Sequence, residues 1–217
     1  MMNHICSTQD IENFVREIER DYQRTQGLIL SEHDAQCLLY SKISAHLTSA
    51  NHSRHQTADQ GVWASPLHTE INFLDVNNEL LIRPDITLLD VQNVSMTQRD
   101  ATRLVHRKGF AFWGSAIVIE LKFCKYLNGI TQRFTDSVRR DCEKIEELGR
   151  RLYPRNEDPT LNGLVVVFSR SNQNCDSFNQ LINDYSGNPV VKVLYATSNL
   201  NQPRRPTSRS SGRRPRG

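Results

Sequence analysis

No stretch of this chain is long and apolar enough to cross a bilayer. The longest apolar runs are short, such as Leu164 to Phe168 and Ala116 to Ile119, far below the roughly 20 residues a spanning helix needs. The first residues, MMNHICSTQDIENF, lack a basic segment followed by an apolar one, so no secretory leader is visible and a cytoplasmic protein is expected. Cysteine spacing of the zinc type is missing as well. Five cysteines stand at 6, 37, 124, 142 and 175 with no CxxC pair, which reads as reduced, mostly buried thiols. His52 and His55 lie close together in a polar, loop-like stretch, but no cysteine pair accompanies them. A Walker loop, GxGxxG and GxSxG are all lacking, which removes the main nucleotide-cradling and serine-hydrolase readings. Internal repeats are not seen.

A basic body is also lacking. The formal net charge is +3, from 27 basic and 24 acidic residues. Six of the arginines, Arg204, Arg205, Arg209, Arg213, Arg214 and Arg216, crowd into the last seventeen residues with no acid among them. The remaining body holds 21 basic against 24 acidic residues, near −3. Attraction to nucleic acid must therefore come from a local patch or from the tail. From residue 199 onward Arg, Pro, Ser and Gly dominate, a composition that cannot bury enough apolar surface to fold alone. The tail reads either as a flexible cationic arm contacting phosphates through counterion release or as a solubilising disordered end; phosphate contact is the favoured reading.

What remains is an ordinary globular chain, 37% hydrophobic and 24% charged. Its 217 residues suit one domain with a core that needs no staples. Ile11, Phe14, Val15 and Ile18 predict a helix over 8–24. Ser31 predicts an N-cap, with Asp34 three residues on where a capping box prefers Glu or Gln. Ala35, Leu38, Leu39, Ile43 and Leu47 continue a second amphipathic helix. Strands are predicted over 67–76 and 79–90, with Asn77-Asn78 as a tight hairpin turn between them. The connection 91–115 is read as holding a short helix near 99–106. A strand over 116–123, a long helix over 132–152, a Val-rich strand over 161–169, a short helix over 177–185 and a strand over 190–197 complete the order. Hairpin-connected strands first and crossover units later predict an α/β fold, a mixed central sheet flanked by helices.

Two segments carry charged side chains where strands ordinarily exclude them. In Ala116-Ile-Val-Ile-Glu-Leu-Lys-Phe123, alternation puts Ile117, Ile119, Leu121 and Phe123 on one face and Glu120 with Lys122 on the other. Taken alone, a solvated sheet face with a weak ion pair explains them. In Leu80-Leu-Ile-Arg-Pro-Asp-Ile-Thr-Leu-Leu-Asp90, Asp85 shares a face with Arg83 and Thr87, while Leu80, Ile82, Pro84, Ile86 and Leu88 share the other. Asp is rare in strands and Pro84 removes a ladder donor. The alternatives are an edge strand blunted by Pro and charge or a functional site that breaks local rules.

Together the two segments resemble the signature of the PD-(D/E)XK nuclease superfamily: Arg-Pro-Asp85 followed 35 residues later by Glu120-Leu-Lys122. The resemblance covers roughly residues 28 to 170. It implies a restriction-endonuclease-like αβββαβ core, with the Asp on the second strand and the ExK on the third. It implies a domain at 27–198, preceded by an N-terminal helix at 1–26 and followed by the disordered Arg-rich tail at 199–217. It implies a Mg²⁺-dependent endonuclease acting on phosphodiester bonds, of DNA by family weight, with Mn²⁺ able to substitute. Asp85 and Glu120 would hold the metal, with the backbone carbonyl of Leu121 as a third oxygen. Lys122 would orient the attacking water or stabilise charge on the phosphate.

Further residues are ranked behind these. Glu32 is a fourth metal candidate, because related chains place a Glu on the helix before the first strand; it reads equally as a first-turn acid favourable to the helix dipole. Glu70 could line the cleft or decorate a polar strand face. Asp141 and Lys144 resemble residues of a helix packed over the active face, yet an exposed ion-pair face explains them better. Gln132 stands near the helical Gln of RecB-like members, but the Tyr expected four residues later is Asp136. The partner expected is nucleic acid and not membrane, and a homodimer is left open. The competing function is a non-catalytic nucleic-acid-binding or scaffold protein that retains the fold; the intact Asp, Glu and Lys argue against it.

Overall fold

The computed structural model describes residues 6–25, 27–74, 79–95, 104–106, 110–152 and 160–198. The Arg-rich tail and the Asn77-Asn78 turn lie outside them. Helix α1 (Thr8–Arg24) starts at a capping box in which Ser7 and Asp10 satisfy each other's backbone donors. Helix α2 (Glu32–Ser49) starts the same way from Ser31 and Asp34, so the shorter Asp closes the box where Glu was the expected partner. Short strands follow: β1 (His55–Gln56), β2 (Trp63–Ala64), β3 (Leu67–Thr69), β4 (Phe73–Leu74), β5 (Leu80–Ile82), β6 (Ile86–Leu89), β7 (Val94–Ser95), β8 (Leu104–His106) and β9 (Phe110–Phe112). The longer elements are β10 (Ala116–Cys124), α3 (Gln132–Leu152), β11 (Leu161–Ser169), α4 (Asp176–Tyr185) and β12 (Val191–Thr197).

The result is a mixed α/β structure around a five-stranded sheet in the order β12-β11-β10-β6-β3. β10, β11 and β12 run parallel, while β6 is antiparallel to both β10 and β3. Helices cover both faces. On one face Ile11, Val15 and Ile18 of α1 and Leu39 and Ile43 of α2 pack on Ile86, Ile117, Ile119, Leu121 and Val166. On the other, Val138, Cys142, Ile145 and Leu148 of α3 and Phe178 and Leu181 of α4 pack on Val118, Val165 and Val167. Alternation along β10 therefore sends odd residues toward α1 and α2, and even residues toward α3. Gly163 lets α3 lie close to β11, since a Cβ there would sit 2.4 Å from Cγ2 of Ile145. No helix among the described residues is long and apolar enough to cross a membrane.

Three sequence expectations are corrected. The strand over 67–76 is two strands in different sheets, because Glu70 takes a left-handed φ of 52° and turns the chain between β3 and β4. The strand over 79–90 also breaks, at Arg83-Pro84-Asp85. β5 joins a second five-stranded sheet, β5-β4-β8-β9-β7, while β6 joins the main one. Ile82 and Ile86, read as neighbours on one face, consequently enter opposite cores. The third concerns the expected short helix at 99–106: Leu104–His106 is strand β8, paired with β4 and β9.

Candidate active site

Asp85 stands in the bend between the two sheets, one residue before β6. Pro84 cannot donate to a ladder, so the break falls where a donor is already missing. β6 and β10 pair Ile86 with Ile119 and Thr87 with Val118. One further step in that antiparallel register sets Asp85 opposite Glu120. The Asp85 carboxylate accepts the Leu121 amide through Oδ2 at 2.7 Å. Its own backbone carbonyl accepts from Gln36 Nε2 at 2.8 Å and from the Glu70 amide at 3.3 Å. Asp85 is thus clamped from β10, from α2 and from the turn after β3.

Glu120 is buried, at 8% exposure. Burial and then the facing Asp85 carboxylate push its carboxyl up to about 8, against the opposing pull of Lys122. Burial likewise raises Asp85 above the usual carboxylate range, with the Leu121 amide and Lys122 pulling it down. Two carboxyls facing each other in a partly dry site cannot both ionise cheaply. The protonated form of Glu120 is therefore favoured.

Lys122 lies two residues along the same face of β10. Its Nζ is 3.2 Å from Asp141 Oδ2 and 3.9 Å from Glu32 Oε1, and it donates to the Leu121 carbonyl at 3.2 Å. Burial alone would lower the ammonium, but Asp141, Glu32 and Glu120 hold it above the ordinary lysine range. Asp141 is itself buried, at 6% exposure. Its Oδ1 accepts from Lys144 Nζ at 3.0 Å, while its Oδ2 makes the ion pair with Lys122. Glu32, in the first turn of α2, accepts the Phe123 amide at 3.3 Å. Burial raises its carboxyl and Lys122 lowers it.

The structure therefore brings together Asp85, Glu120, Lys122, Glu32, Asp141 and Lys144. Glu70 adjoins Asp85 through its backbone, while its exposed side chain lies 3.9 Å from Arg83. Gln132 is exposed and donates to Asp136 Oδ1 at 2.8 Å. The six tail arginines lie outside the described residues.

Asp141 is more central than its sequence context implied. Val138, Cys142, Ile145 and Leu148 are all fully buried, and Asp141 falls within that stripe at helical spacing. A charge inside an apolar stripe was the available signal. Gln36 went unread altogether. It lies on the buried stripe of α2 beside Ala35 and Leu39, and only the structure shows its bond to Asp85.

Chemically, the pair Asp85 and Glu120 offers two hard oxygen donors, and the Leu121 carbonyl follows Glu120 directly in sequence. Among the described residues, one group of three Cys, His, Asp or Glu ligand atoms lies within 4.8 Å of one another, and it is Cys6, Asp10 and His46. That group is a poor cation site, because Asp10 Oδ2 is taken by the Ser7 amide and hydroxyl at 2.8 and 2.6 Å. Burial and Asp10 also push the Cys6 thiol up to about 12, so it stays protonated. Comparison with family models, with curated proteins and with solved structures found no match for this chain.

Proposed function

We propose that this chain is a metal-dependent nuclease of the PD-(D/E)XK kind, hydrolysing phosphodiester bonds, with DNA as the expected substrate. The observation that carries the reading is the buried Glu120 facing the half-buried Asp85 carboxylate, with Lys122 beside it on one strand face. A surface ion pair would not need burial, and two facing carboxyls that burial raises, Glu120 further by the Asp85 charge, are relieved by a divalent cation. Mg²⁺ commonly takes one or two protein carboxylates and keeps waters and substrate oxygens in its other positions, so this donor set fits Mg²⁺ or Mn²⁺. The run α2, β3, β6, β10, α3, β11 follows the αβββαβ order, which supports a restriction-endonuclease-like core.

Asp85, Glu120 and the Leu121 carbonyl are the residues that would hold the metal. When bound, it supplies Lewis-acid polarisation of the scissile phosphate and lowers the pKa of a bound water. Lys122 donates hydrogen bonds to the attacking water or to the phosphate oxygens as charge builds on them. Asp141 and Glu32 keep that ammonium charged and limit its rotamers. The Leu121 amide fixes the Asp85 carboxylate, and Gln36 fixes the backbone beneath it.

The test is direct. Purified protein is incubated with duplex, single-stranded and branched DNA and with RNA, in Mg²⁺, Mn²⁺ or EDTA. Cleavage in the metals that EDTA abolishes is the expected result. No cleavage of any substrate, together with no calorimetric binding of Mg²⁺ or Mn²⁺, would return the chain to a non-catalytic nucleic-acid-binding role.

A further inference from the structure

Three parallel strands end together beyond the catalytic pair. Cys124 closes β10, Ser169 closes β11 and Thr197 closes β12, and the chain crosses between these ends by hydrogen bonds. The Arg170 amide donates to the Cys124 carbonyl at 3.1 Å, the Ser198 amide to the Ser169 carbonyl at 3.0 Å, and Ser198 Oγ to the Arg170 carbonyl at 2.6 Å. Residues 125–128 form an exposed run directly after β10. Tyr126 in it is 52% exposed and Leu127 37%. Lys125 Nζ lies 5.9 Å from the centre of the Tyr126 ring, and the Arg170 guanidinium 5.7 Å from the centre of the half-buried Phe123 ring.

This loop is held in place. Gly129 has a φ of 87°, and a Cβ there would strike the Gln173 carbonyl oxygen at 1.9 Å. The Ile130 amide donates to that same carbonyl at 3.0 Å, and the Cys175 amide to the Ile130 carbonyl at 3.2 Å. The aromatic rings and their cations are therefore presented on pinned backbone. From Glu120 to Cys124 the extended strand covers about 13 Å, so the catalytic pair and this rim fall within reach of one bound strand.

We propose that this sheet end is a binding platform for single-stranded nucleic acid, with Tyr126 as the stacking surface and Lys125 and Arg170 as phosphate contacts. An exposed aromatic beside cations suits unpaired bases, because every base has a π-face that a duplex keeps hidden. A purely electrostatic duplex site has no use for Tyr126. The proposal rests on the nuclease reading in one respect: it narrows that enzyme's substrate to strands with unpaired nucleotides.

The test uses the full chain in EDTA, so that binding is read without cleavage. Fluorescein-labelled single-stranded DNA and a blunt duplex of the same sequence are titrated at low salt. Tighter binding of the single strand is expected. Tyr126→Ala should weaken it by roughly 5- to 100-fold, the worth of one stacked base, and leave the duplex within about two-fold. Tyr126→Phe should retain single-strand affinity, and Lys125→Ala should flatten the salt slope by about 0.7. Thermal melts of the variants verify folding. Preference for the blunt duplex, loss of both affinities alike in Tyr126→Ala, or no oligonucleotide binding at all would overturn the platform. A wild type that binds single strands this way yet never cleaves would sink the nuclease reading and leave the platform standing.

Discussion

Replacing Glu120 by Gln keeps the shape of the buried side chain and removes the proton that the Asp85–Glu120 pair contests. In the folded chain Glu120 titrates at about 8, against an ordinary value of 4.5. An acid raised on folding makes the native state bind more protons than the unfolded one, so stability falls as pH rises from about 4.5 to about 8 and levels above that. At about 1.36 kcal/mol per pH unit the full interval is worth roughly 5 kcal/mol. Sharing of the proton with Asp85 and local rearrangement bring the expected loss to about 2–3 kcal/mol. For a chain of this length that lowers Tm by roughly 5–10 °C. The groups held low, such as Asp10 and Asp34 at the caps, are fully ionised above pH 5.5 and contribute no slope there. The assay is a thermal melt in EDTA at pH 5.5 and 8.5. Wild type should lose Tm across that range and Glu120→Gln should lose much less. Added Mg²⁺ should restore the wild type most at pH 8.5, where no proton competes for the site, and should leave the variant nearly unchanged. Parallel pH profiles for the two proteins would refute the buried acid pair.

Other perturbations have equally definite outcomes. Asp85→Asn should reduce Mg²⁺ affinity in calorimetry and cut turnover by more than the roughly 10–100-fold typical of an outer-sphere partner, with nucleic-acid binding retained. Lys122→Ala should lose turnover on a similar scale yet bind Mg²⁺ within a few-fold of wild type; a matched loss of metal binding would contradict its assigned role. Asp141→Asn should lower kcat by about 10–100-fold with KM little changed, because it loosens the Lys122 ammonium without touching substrate, and Asp141→Glu should recover part of the loss. Deleting residues 201–217 should leave Tm unchanged and reduce the salt slope of duplex binding by roughly 0.9 for each phosphate that the arginines neutralise; an unaltered slope would make the tail a bystander.

The candidate site was legible because β10 states its alternation without ambiguity. Ile117, Ile119 and Leu121 mark one buried face, and Val118 and Cys124 show that the other is buried too. Charges at Glu120 and Lys122 within such a frame stand out. The helices at either end were legible from their stripes and from Ser31 as a cap. The two sheet changes were not. A chain that leaves one sheet for another keeps an apolar, strand-like composition on both sides, and the turning residue Glu70 is not one of the usual positive-φ types. The strands of the second sheet are two or three residues long, below the length at which period-two patterning becomes visible. Asp141 was noticed, but its burial depends on how closely α3 approaches β11, which Gly163 decides through tertiary packing.

The division of β10 into odd and even residues makes this site unusually sensitive to length and tolerant of little else. A single residue inserted or deleted between Ala116 and Ile119 would change the parity of everything after it. Leu121 and Phe123 would turn toward Asp141 and α3, while Glu120 and Lys122 would be driven into the leucine and isoleucine packing beneath α1 and α2. Two inserted residues would restore the faces yet displace Glu120 from its place opposite Asp85. Substitutions along this strand can be graded by size and polarity, but indels cannot, because no change in side chain compensates for a change in count. Such lesions should accumulate in the outer strands and connecting loops, and be lost from residues 116–124 in any library selected for a folded chain.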